Sequence, residues 1–117
     1  MVNALTVEQR RALHVLGYLM FRMGRGESAA RIYGALATLT AAPDRQVLAA
    51  LSALAIERGD GAQALTWLRT AMNGPLPARY AVLHLLKAQA LWLEGRKAEA
   101  RAARDEYAFL SGGGKSA

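Results

Sequence analysis

Apolar residues recur along most of the chain at helical spacing. Between Thr6 and Met23, the positions Leu13, Leu16, Leu19 and Met20 predict one face of an α-helix rather than the alternation of a strand. Thr6 followed by Gln9 supplies a capping-box start. Gly24 and Gly26 bracket a turn, and a second helix is expected from about Glu27 to Leu39. Pro43-Asp44 opens a third, with the proline at the helical position it tolerates best, and that helix runs to about Arg58. Gly59-Asp60-Gly61 turns the chain into a fourth, to about Met72. The breaker cluster Asn73-Gly74-Pro75-Leu76-Pro77 precedes a fifth helix over about Ala78 to Glu94, and a sixth covers about Lys97 to Leu110. The Gly-rich segment 111–117 is expected to be flexible.

The six segments repeat a pattern. Gly24, Gly59 and Gly95 are spaced by 35 and 36 residues. Each is followed five residues later by an alanine (Ala29, Ala64, Ala100) and preceded seven residues earlier by a small residue (Gly17, Ser52, Ala88). A helical hairpin explains the arrangement: the first small residue admits the partner helix, the glycine turns the chain, and the alanine sits where the helices come closest. The expectation is one domain over residues 1–110, with three hairpins at about 9–42, 43–77 and 78–110.

Composition agrees with helices. The chain has 117 residues, 53% of them hydrophobic and 21% charged, enough to form a core. Ala and Leu dominate while Val and Ile are scarce, which disfavours a large sheet. The absence of cysteine excludes disulfides, thiolate metal sites and a Cys nucleophile. The opening Met-Val-Asn-Ala lacks the pattern of a signal peptide, and no stretch is long and apolar enough to span a bilayer, so a cytoplasmic protein without direct membrane insertion is expected. Fifteen basic residues against nine acidic ones give +6 and a pI near 10.3. They are spread over all the helical segments, with no basic run longer than the pairs Arg10-Arg11 and Arg96-Lys97. This favours an ordinary solvated basic surface; a face that meets an acidic protein partner is the next reading, ahead of a nucleic-acid-associated helical protein.

No residue set asks to be an active site. His14 and His84 have no carboxylate or second histidine at helical ligand spacing; His14 is expected to line a groove and His84 to pack between helices. The carboxylates sit mostly at helix ends, where they cap or complement the dipole. Gly114-Lys115-Ser116 imitates the end of a phosphate loop, but Phe109 stands where the leading glycine belongs. No catalytic residue, metal or cofactor is expected.

The unit resembles the tetratricopeptide repeat, through Leu16-Gly17 and Ala29-x3-Tyr33 in the first hairpin and Ala64-x3-Leu68-x2-Ala71 in the second. Met20 replaces the usual tyrosine of the first, and Arg104 stands where the third usually has an aromatic. The resemblance implies an all-α fold of six antiparallel helices forming a short right-handed solenoid with a concave, peptide-binding groove. By repeat position, the groove would be lined by Arg11, His14, Tyr18, Phe21 and Arg22 from the first hairpin. The second would contribute Gln46, Ala49, Ala53 and Ile56, and the third Val82, Leu85, Gln89 and Trp92.

The span from about Thr6 to Leu110 also resembles the small chaperones of bacterial type III secretion. The likeness lies in Leu13-x2-Leu16-Gly17-Tyr18-x3-Arg22-x-Gly24-x4-Ala29, in Tyr33-x-Ala35-Leu36-x2-Leu39 and in Ala100-Arg101-x5-Tyr107-x2-Leu110. Among them the chain is most similar to the YscY (SctY) family, whose members are little more than three repeats. That resemblance implies a chaperone, cytoplasmic or peripheral at the export apparatus, that binds a small exported protein of the YscX (SctX) type. It would help present that client to the export gate SctV; the apolar groove, left uncovered, would make the lone chain self-associate or aggregate. The chain is also similar to the translocator chaperones of the SycD group, which carry a longer N-terminal region. An adaptor unrelated to secretion is the remaining alternative.

Overall fold

Within residues 5–39 and 44–112, which the computed structural model describes, every regular element is helical. The elements are α1 (Val7–Arg22), α2 (Gly26–Leu39), α3 (Arg45–Glu57), α4 (Gly61–Ala71), α5 (Val82–Leu93) and α6 (Lys97–Leu110), with one 3-10 turn at Ala78–Tyr80. Local chemistry sets their starts. Thr6 and Gln9 form the reciprocal capping box at α1, with bonds of 2.8 and 3.1 Å. Asp44 caps α3 through the Val47 amide, and Asp60 caps α4 through the Gln63 amide, both at 3.0 Å. The helix begins at Arg45 with Asp44 as its cap; Pro43, expected at its first position, lies outside the described residues, as do 113–117.

The three glycine turns are built alike. Gly24, Gly59 and Gly95 have φ of 76°, 77° and 76°, a left-handed conformation that side chains disfavour. In each, the amide after the glycine donates to a carbonyl five residues back: Arg25 to Met20, Asp60 to Ala55, Arg96 to Leu91, at 2.8–2.9 Å. These turns fold α2 back on α1, α4 on α3 and α6 on α5. The small residues of the repeat lie in these crossings: Gly17, Ser52, Ala88, Ala29, Ala64 and Ala100 are all buried. A Cβ on Gly17 would come within 3.0 Å of the Tyr33 ring.

Neighbouring hairpins join through α2 with α3, α4 with α5 and α3 with α5, giving an elongated body of 51 × 28 × 28 Å. One buried cluster unites α2 and α3 around Tyr33, Leu36, Leu51 and Leu54. A second unites α3, α4 and α5 around Leu48, Leu68, Leu83 and Ala90. A smaller third joins Ala88 and Leu91 of α5 to Ala100 and Ala103 of α6.

Two expectations are corrected. The fifth helix does not begin directly at Ala78: Tyr80, Ala81 and His84 donate to carbonyls three residues back, so a tight turn precedes the α-helix at Val82. The guanidiniums of Arg45 and Arg79 lie 5.3 and 5.0 Å from the centroid of the Tyr80 ring there. On α1, Leu16 and Leu19 are 42% and 48% exposed, whereas Leu13 and Met20 pack on the first cluster. The close approach at Gly17 decides which side of α1 faces inward and turns Leu16 and Leu19 away.

Candidate partner-binding surface

The capping box and the Gly17 contact present one whole side of α1 to solvent. Gly17 is the only residue of this helix that is buried, while Val15, Leu16, Tyr18, Leu19, Phe21 and Met23 at its end are all exposed. Arg11 and Arg22 stand on the same outward side, and the Arg22 guanidinium lies 5.9 Å from the centre of the Tyr18 ring.

Where α1 approaches the start of α3, the side chains enclose shallow depressions. His14, Tyr18 and Gln46 line one with Val15, Leu19 and Tyr33. Arg11, His14 and Gln46 line its neighbour with Val7, Arg10 and Asp44. His14 bridges them: its Nε2 is 3.6 Å from Oδ2 of Asp44, and its ring meets Tyr33 edge-on at 6.4 Å. Burial pushes the Tyr33 phenol above its ordinary range, and the Tyr18 phenol adds to the shift. The chemistry is apolar and aromatic with a cationic rim.

The third hairpin forms a separate depression, where Leu85, Gln89 and Trp92 face Arg101 and Arg104 of α6. Trp92 is 54% exposed with the Lys97 ammonium 5.3 Å from its ring, and Phe21 is 37% exposed, so neither completes the core. Phe21, Arg22, Ala49, Ala53 and Ile56 line none of these three depressions. Ala49 and Ile56 are half-buried against the second cluster and serve the core, and exposed Val82 also lies outside the depressions. The predicted lining therefore divides into an α1–α3 surface and an α5–α6 surface.

Sequence reasoning missed Val15 and Leu19, because α1 is apolar on more than one side and periodicity does not rank its faces. It also missed Arg101 and Arg104, whose role depends on α6 returning along α5.

No protein-family model matches the chain, and no characterised protein matches it significantly. No helix among the described residues is long and apolar enough to cross a membrane.

Proposed function

We propose that the chain is a protein-binding module of tetratricopeptide type that acts as a secretion chaperone. In this reading it resembles the YscY (SctY) family, binds a small exported protein of the YscX (SctX) type and helps deliver it to SctV. The carrying observation is the unpartnered side of α1: six large apolar side chains stay in water on one hairpin of a small protein. Isolated exposed apolar residues are ordinary, but a contiguous set marks an interaction site. The repeated left-handed glycine turns and buried alanines support the repeat architecture.

The test is a calorimetric titration of a YscX-type protein with the chain and its variants. Tyr18→Ala or Phe21→Ala is expected to weaken binding by about 2 kcal/mol or more, as central anchors do, with circular dichroism unchanged because both side chains are exposed. Charge reversal at Arg22 is expected to act mainly on association rate and its salt dependence. Normal binding by both aromatic variants overturns the assignment of this surface.

A further inference from the structure

Trp67 stands eight residues after Gly59, and eight residues after Gly95 stands Ala103. Since both glycines close their turns with the same φ and the same backbone bond, positions 67 and 103 are equivalent on α4 and α6. Trp67 is half-buried and packs against both larger clusters, so its indole fills space between the first and second hairpins. Ala103 offers only a methyl at the corresponding place.

Ala103 is buried, and open space lies beside it, one turn toward the start of α6. Leu65 and Leu91, which belong with Ala103 to the third cluster, floor a depression of about 340 Å³ together with Leu68 and Met72. Glu99, one turn before Ala103, forms its α6 side. A large helical side chain leans toward the turn N-terminal to it, so an indole at 103 would lie over this opening. The rim is cationic: Arg69 and Lys87 form no ion pair among the described residues, while Arg96 holds Glu99 through two bonds of 2.8 Å.

We propose that the cleft between α4 and α6 receives a large aromatic anchor from a partner protein segment, with carboxylates beside the anchor meeting Arg69 and Lys87. The cleft lies apart from the α1 surface and does not depend on the chaperone reading. An apolar floor without its indole accounts for the anchor, and the two unpaired cations account for the acidic flanks. A second copy of the chain is a poorer occupant, because it carries +6 toward the same rim.

The experiment titrates the methyl-labelled full chain with a short capped peptide bearing one tryptophan between glutamates. Shifts are expected at Leu65, Leu68, Met72 and Leu91. A peptide with alanine for tryptophan should bind about tenfold more weakly. One with glutamine for glutamate should bind more weakly and lose its salt dependence. Ala103→Trp should fill the cleft from within, raise the melting temperature and abolish the shifts. If that variant does not fold, Lys87→Glu decides, and is expected to cost about tenfold in affinity for the acidic peptide. Shifts confined to α1, equal binding of all three peptides, or full binding by folded Ala103→Trp overturns the proposal. So does sedimentation in which the peptide converts a self-associated chain to monomer, since a second copy then occupies the cleft.

Discussion

At Gly61 the first turn of α4 presses on α5. A Cβ there would stand 2.7 Å from the Ala90 carbonyl oxygen and 3.0 Å from the Leu93 Cβ, and a backbone oxygen cannot swing aside. Gly34 lies in the interior of α2 with nothing within 4 Å of the same construction. Gly61→Ala is therefore expected to destabilise by about 1–3 kcal/mol through overpacking, despite the better helix former. Gly34→Ala should stabilise by about 0.5–1 kcal/mol, because alanine loses less backbone freedom on folding. Denaturant midpoints of the two variants check this, and shifts of the same sign would refute it. The sequence shows Gly61 only as part of a turn, since the carbonyl that requires it belongs to a residue far along the chain.

Arg45, the first residue of α3, acts at the scale of an element. Its Nε donates to the Ala71 carbonyl at 2.8 Å, and its second guanidinium nitrogen to those of Asn73 and Pro75 at 3.1 and 3.0 Å. The acceptors are carbonyls at and just beyond the C-terminal end of α4, so one cation satisfies them and complements the helix dipole. Arg45→Gln is expected to cost about 1–3 kcal/mol, read as a lower urea midpoint. Lysine should not rescue it, because one ammonium cannot reproduce the planar fork. No local pattern announces this clip, as its acceptors are backbone atoms. The glycine frame and the α1 cap, by contrast, were legible because glycine and Thr6 act within a few residues of themselves. On α5, burial lowers the His84 imidazole from its usual 6.5, with Glu106 pulling it up and Lys87 pushing it down. The folded chain then prefers the neutral ring while the unfolded chain protonates first, so this contribution is complete above about pH 6.5 and declines as pH falls. Melting temperature should drop less on acidification in His84→Gln than in the parent.

For the whole molecule, the exposed side of α1 sets the behaviour in solution. Without a partner the chain is expected to self-associate reversibly through that side, more so in salt, which screens its +6 charge. Replacing Leu16 and Leu19 together by Gln should shift sedimentation toward monomer and leave the melting temperature nearly unchanged; continued association would place the contact elsewhere. That Leu16 and Leu19 would join the open side of α1 was not readable beforehand, because Leu13, Leu16, Leu19 and Met20 look alike in sequence and only the Gly17–Tyr33 approach separates them.

The main contacts link helices adjacent along the chain, and the α3–α5 pairing alone among them skips an element. Most of the core is thus closed by short loops whose entropic cost is small, which favours rapid folding for a chain of this length. Because α3 contributes to both large clusters, whereas α1 buries only Gly17 and α6 only Ala100 and Ala103, order should spread outward from the centre and fray from both ends inward. The molecule behaves as a short zipper fastened at its middle.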